Sequence, residues 1–340
     1  MRRLHNTVST ALRRRDLLRI GLAAGLGVLG GCAGRAGQPL LRAAPETLPA
    51  LWRRRLPRPW RFEPLAASSS SILSGLSSEP PADLLALSDG WLAEFAVDDL
   101  QPIVAAPLRE RLGEQARRFL GQLTPALAAR LLPVAVSPWV MCVRGSDLGA
   151  AAAEQGWDVL LDPRLHGAVV LPESPRLVMA LADRIDRPDS LVGLRRAALT
   201  LDDRHALNWL LQGKGKVAVL PLQRCLQTLR HDPRLHAVLP ETGAPLHWTL
   251  LLQPAASLEP LPQAWVEAAW QAPLIGQLLA RGWRAPLRSS ELLEQRQVLP
   301  SSDRSLVLPP AAVWHRCWSL PPLQASDQAA LSRDWQDAAP

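Results

Sequence analysis

The chain has 340 residues, 48% of them apolar, and a formal net charge of +7, which is length enough for two lobes with separate cores. Residues 1–31 hold six arginines against one aspartate, so +5 of that charge sits at the amino end, and the near-neutral remainder excludes a nucleic-acid footprint. Beyond Cys32 the cysteines are Cys142, Cys225 and Cys317, odd in number and far apart; this excludes a CxxC metal or redox motif and reads as buried thiols with at most one disulfide.

The chain opens with "RRRDLLRIGLAAGLGVLGGC", Arg13 to Cys32. Its apolar run, Ile20 to Gly31, is 12 residues long, short of the roughly 17–25 that a bilayer-spanning helix needs. The run also carries five glycines, each costing about 1 kcal/mol against alanine inside a helix. A basic n-region, a short apolar h-region and small residues at a cleavage point make residues 1–31 a signal peptide. Within it, Arg14-Arg15-Asp16-Leu17-Leu18-Arg19 resembles a twin-arginine export signal. Leu29-Gly30-Gly31-Cys32 resembles a lipobox, so Cys32 is expected to carry a lipid that anchors the exported chain to a membrane in the periplasm. Residues 32–40 then form a tether. Residues 33–71 are rich in Pro, Arg, Ala and Ser, part of them tether, with Ser68-Ser69-Ser70-Ser71 as a loop or helix start.

Farther on, short apolar runs alternate with helical periodicity. Asp83 to Leu87 reads as a buried strand, followed by a Ser88-Asp89-Gly90 turn and an amphipathic stretch from Trp91 to Val97. Further strands are expected at Val134–Val143, Ala168–Leu171, Lys216–Leu220, His236–Leu239 and His247–Gln253. Helices are expected at Pro175–Asp183, at Leu191–Leu211 with a break near Thr200 and an end at Gly213, and at Pro262–Arg281. Such alternation is the signature of α/β layers.

The templates of catalysis are missing: no GxSxG, HExxH, GxxxxGK[ST] or GxGxxG occurs in the right setting. Gly213-Lys214-Gly215-Lys216 reads as a helix cap followed by a strand entry rather than a phosphate cradle. His166, His205, His231, His236, His247 and His315 lack ligand spacing. Nothing calls for an enzyme, a metal or a cofactor.

The order of the segments "DLLALSDGWLAEFAVDDLQPI", "SPWVMCVR", "GWDVLLDPRLHGAVVLPESPRLVMALA", "LLQGKGKVAVLPL", "VLPETGAPLHWTLLLQPAA" and "ARGWRAP" resembles the spermidine/putrescine-binding family of periplasmic solute-binding proteins, over roughly Leu84 to Gly282. "WDVLLDPRLHGAVVL" is the most specific stretch. The resemblance implies the type II periplasmic-binding-protein fold: two α/β lobes joined by crossing strands near Pro133–Val143 and His247–Pro254, with ligand closed between them. One lobe would comprise residues 40–135 and 254–295, the other 136–253 and 296–340. It further implies a monomer that binds a small solute, a polyamine such as spermidine or putrescine, and delivers it to an ABC permease of the inner membrane.

A polyamine site needs carboxylates for the ammonium groups and aromatic faces for the chain between them. By resemblance Ser88 stands at a family serine, Trp91 one place beyond a family aromatic, Trp248 at or beside an interlobe tryptophan, and Trp283 in place of a tyrosine. The acidic half departs from the pattern. Ser174 and Leu177 occupy the places of an aspartate and a glutamate, Thr249 that of an aspartate, and Pro221 or Leu222 lies nearest an absent tryptophan. Asp89 and Glu173 are the nearby acids that could substitute. The expected ligand set is therefore Ser88, Asp89, Trp91, Glu173, Ser174, Trp248, Thr249 and Trp283. One alternative is a degenerate member of the fold, a lipoprotein scaffold or sensor without a transport ligand; another is an exported hydrolase with an unrecognised site.

Overall fold

The computed structural model describes residues 37–44, 46–65, 80–185 and 187–339. Arg14, Arg15, Cys32 and Ser68 to Ser71 lie outside the described residues. Pro39–Pro340 forms one folded unit.

Its strands are β1 (Leu40–Ala43), β2 (Arg61–Pro64), β3 (Leu84–Ser88), β4 (Leu131–Arg144), β5 (Val169–Leu171), β6 (Ala198–Leu201), β7 (Val217–Pro221), β8 (Leu235–Val238) and β9 (Leu246–Leu252). They run in the order β2-β1-β3-β9-β4-β7-β5-β6, with β8 paired to β4. The 14-residue β4 holds the two parts of the sheet together. Its first part pairs antiparallel with β9, from Leu131 opposite Leu252 to Pro138 opposite Leu246. The remainder pairs antiparallel with β7, from Trp139 opposite Pro221 to Val143 opposite Val217, and with β8.

Two sets of parallel strands flank this pair. On one side β2, β1 and β3 are parallel, and on the other β5, β6 and β7. The register decides where their ends fall. Ser88, the last residue of β3, lies opposite Thr249, itself opposite Ala135 of β4. Pro221, the last residue of β7, lies opposite Trp139. Ala135 and Trp139 are four residues apart on one strand, about 13 Å at strand rise. The carboxyl ends of both parallel sets therefore face one another across the middle of β4, the position where α/β sheets bind ligands.

Several tryptophans are structural. Trp52 and Trp265 stack at 4.8 Å, and each indole N–H donates to the other's backbone carbonyl. Trp157 donates to Gly243 O and Trp270 to Val134 O. This is how a buried indole satisfies its one donor. Cys142, Cys225 and Cys317 are buried free thiols. Among the described residues no helix is long and apolar enough to cross a membrane, and no cluster of side chains has the makings of a metal site.

Within residues 33–71, β1 and β2 pair residue for residue. The structure corrects three readings of the sequence. The break expected near Thr200 is a strand: helix Ser190–Ala197 ends, β6 pairs with β5, and helix Ala206–Leu211 follows. The long helix expected at Pro262–Arg281 is two, Gln263–Ala269 and Leu274–Leu279, interrupted before Pro273, which has no N–H to continue the first. Finally, Trp91 to Val97 winds as 3₁₀ turns, Asp89–Glu94 and Val97–Asp99, rather than an α-helix.

Candidate functional site

Five connections leave the converging strand ends, and each brings a charged or polar group. Thr47 and Glu46 follow β1, Ser88 ends β3 and Asp89 follows it, Glu173 to Arg176 follow β5, Asp202 and Asp203 follow β6, and Gln223 and Arg224 follow β7. His247 and Ser137 add side chains from the strands that cross beneath them.

At the floor, the Asp89 carboxylate accepts the backbone N–H of Trp248 at 3.0 Å. Asp89 keeps some surface, yet protein closes around its carboxyl. Burial pushes its pKa up from 3.8 to about 7, against the pull of the Trp248 and Asp89 backbone N–H groups and of Arg176. Arg176 reaches this place from helix Pro175–Ala182, beyond β5, and donates to Leu320 O at 3.4 Å. Burial lowers its pKa and the charge of Asp89 opposes that shift. A carboxyl from one parallel set and a guanidinium from the other thus act on each other across the strand ends.

A direct contact between the two sets lies nearer solvent. Arg224 donates to Asp203 at 2.5 Å, and its Nε stands 2.9 Å from Glu46 Oε2, a charge contact without hydrogen-bond geometry. Glu46 belongs to the β1 side and Arg224 to the β7 side. His247 sits between floor and mouth, edge-on to Trp139 at 6.0 Å. Burial, then the charge of Arg224, pushes its pKa down to about 3, so it is neutral at physiological pH.

The expected ligand residues are distributed unevenly over this arrangement. Ser88, Asp89, Trp248 and Thr249 meet at the floor, but only Asp89 turns a charged group to the site. Trp248 is fully buried, stacked on Phe119 at 5.0 Å with its indole N–H on Ser319 Oγ. The Thr249 hydroxyl donates to Thr47 O at 3.4 Å. Trp91 packs half-buried against the core. Ser174 caps helix Pro175–Ala182, its Oγ accepting Leu177 N–H. Glu173 is exposed and touches the site through its backbone N–H, donated to Asp203 at 2.9 Å. Trp283 is 7% exposed and forms part of a recess with Arg224 and Arg53. Arg53, Arg176, Arg224 and His247 were not singled out from the sequence, where 36 arginines offer no way to choose among them.

Glycine shapes the mouth at one position. Gly282 has φ +81°, and a Cβ there would stand 2.8 Å from Gln223 Cα. Any other residue would push the Trp283 segment off helix Leu222–His231.

No family model and no curated relative matches the chain. Solved structures do. A spermidine/putrescine ABC transporter substrate-binding protein from Streptococcus pneumoniae superposes with a TM-score of 0.69 at 12% identity, covering 89% of this chain and 99% of that one. A Treponema pallidum lipoprotein gives 0.65 at 12% identity over 88% and 98%, and a periplasmic thiamin binding protein 0.62 at 14% over 90% and 98%. The fold is the type II periplasmic-binding-protein fold, and the likeness to spermidine/putrescine-binding proteins read in the sequence holds at the level of that fold.

Proposed function

We propose that this chain is the solute-binding component of an ABC importer, capturing a small solute between two lobes and presenting it to a membrane permease. One observation carries the reading: both parallel strand sets end at Ala135 to Trp139 of β4, and groups from the two sets act on each other there, Asp89 through the charge of Arg176 and Glu46 in contact with Arg224. Contacts of this kind form or part as lobes close or open around a hinge of crossing strands. The lobes we assign are residues 40–135 with 254–295 and 136–253 with 296–340. The tail serves both: Gln115 donates to Trp314 O and Cys317 O on the first, and Arg195 stacks on Trp335 in the second.

The amino-terminal pattern supports export by way of Arg14 and Arg15 and lipidation at Cys32, which would hold the folded unit near its permease. Polyamine capture would call on Asp89 and Glu173. The first is drawn toward its protonated state and faces Arg176, and the second extends into solvent. The second reading, a fold retained as a scaffold, is favoured by one observation: Trp248, Thr249 and Ser174 spend their side chains on contacts within the fold.

Native mass spectrometry of the gently purified chain tests the choice. The importer reading expects a 1:1 small-molecule adduct that denaturation releases. A bare mass throughout, with no stabilisation by cationic, anionic or neutral solutes, would overturn it in favour of the scaffold.

A further inference from the structure

Two adjoining recesses open beside the mouth. The first, about 490 Å³, lies between the β1–β2 side and helix Leu222–His231, with Arg53, Arg224, Arg281, Gln223, Phe62 and Trp283 in its wall. The second, about 430 Å³, shares Pro49, Ala50 and Arg281 with it and adds Arg54 and Arg55. One carboxylate lines the pair, Glu46, and it already stands against Arg224. Among the described residues no acid lies within 4.0 Å of the guanidinium of Arg53, Arg54, Arg55 or Arg281.

Two residues of the first recess, Arg53 and Gln223, also carry unmet hydrogen-bonding capacity: Arg53 Nε and Gln223 Oε1 are buried without a partner. A native fold leaves few such atoms. The Arg53 guanidinium carbon lies over the Phe62 ring, 4.5 Å from its centroid. The N–H edge of a guanidinium matches the two oxygens of a carboxylate or phosphate. Gln223 is itself pinned, its backbone N–H on Ser137 Oγ at 3.1 Å. Phe62 and Trp283 supply apolar wall for a carbon body.

We propose that the solute is a small organic anion, a carboxylate or phosphate monoester on an apolar body with a hydroxyl or amide donor, bound with its oxyanion on Arg53 and Arg281 and its donor on Gln223. This rests on the solute-binding reading above and gives that site its ligand class. A cationic amine meets the opposite conditions: four arginines without acids, and acids that arginines already hold.

Isothermal titration and thermal melting of the purified full chain with phenyl phosphate, benzoate, inorganic phosphate and spermidine decide it. The expected result is a saturable response to phenyl phosphate or benzoate with a rise in melting temperature, a weaker one to inorganic phosphate, and none to spermidine. Arg281→Gln, at an exposed side chain, leaves folding intact and weakens the anion at least about tenfold. Arg53→Lys retains charge but loses the bidentate edge, and weakens it by a similar factor. Anion binding that survives both substitutions would place the site elsewhere and overturn the assignment. Spermidine saturating where the anions are silent would overturn the anionic class while leaving solute binding intact. Silence toward all four probes would overturn the anionic class; an adduct in the native mass spectrum would then keep solute binding, and a bare mass would remove both.

Discussion

The floor of the site and its mouth are built from the same strand ends yet differ in how far their polar groups are satisfied. At the floor the Asp89 carboxylate accepts the Trp248 backbone N–H, the Trp248 indole N–H donates to Ser319 Oγ, and the Thr249 hydroxyl donates to Thr47 O. At the mouth Arg53 Nε and Gln223 Oε1 have no partner and the arginines outnumber the acids. A group whose hydrogen bonds are complete holds geometry, and one left desolvated and unpaired is where a ligand can gain free energy. The difference teaches that the conspicuous aromatic of the floor holds geometry, while the arginines of the mouth are the groups to which our proposal gives the recognition.

The largest effect expected from this contrast comes from Trp248→Ala. Removing a fully buried indole stacked on Phe119 costs about 3–5 kcal/mol, on the order of 10 °C in melting temperature. Thermal unfolding followed by circular dichroism measures it. A fall in solute affinity with no loss of stability would break the contrast, because Trp248 would then be a platform for ligand.

Next comes Arg224→Gln. It separates a guanidinium from Asp203 and Glu46, at about 1–3 kcal/mol for the lost charge-assisted bonds. The same change leaves two acids of the mouth without a cation. Spermidine, inert toward the parent chain, is expected to stabilise this variant, and calorimetric titration of the two side by side shows whether the charge balance of the mouth selects the solute.

Asp89 and His247 sharpen the contrast through pH. Asp89 in the fold has a pKa of about 7 against an ordinary 3.8, so the native state keeps a proton that the unfolded chain gives up. Its contribution to stability therefore falls as pH rises from about 4 to 7. His247 has a pKa of about 3 against 6.5, so the unfolded chain takes up a proton that the native state refuses, and its contribution rises with pH from about 3 to 6.5. Over pH 4 to 6.5 the two slopes oppose each other. Asp89→Asn is expected to gain on the parent by a few degrees in melting temperature as pH climbs to 7, and His247→Asn to gain by roughly the same as pH falls toward 3. Parallel melting curves for parent and variants would mean that neither group is desolvated at the floor.

How much of this could be read beforehand follows turn signals and strand parity more than strand length, since the three residues of β5 and the four of β8 were also expected. Strands β3, β4, β7 and β9 stood out because five to fourteen residues of apolar chain are bounded by turns. Strands β1 and β2 hid in four residues each, and the Arg42–Glu63 pair across them gives a charged look to chain that belongs to the sheet. β6 hid inside helical periodicity, which Ala198 to Leu201 continues without a turn signal. At the site, Asp89 was visible because it sits in the turn directly after a strand. Trp248 misled because neighbouring residues of a strand face opposite ways: His247 meets Trp139 and the charge of Arg224, and Trp248 one place later meets Phe119 in the core. The arginines of the mouth come from helix Ala50–Arg53, helix Leu222–His231 and the turn at Arg281, and only folding brings them to one recess.

The smallest effect is expected at Glu173, and its smallness is informative. The side chain is exposed, and its residue meets the site through a backbone N–H on Asp203 that any amino acid would supply. Glu173→Ala is therefore expected to change stability by less than about 0.5 kcal/mol and to leave anion affinity within about twofold. A carboxylate near an arginine-lined mouth also repels an anion weakly through solvent, so whatever change titration detects should be a slight tightening that disappears at high salt. Loss of solute binding on this substitution would run against both the exposure of Glu173 and the sign of its charge, and would move recognition from the arginines of the mouth to the acids beside it.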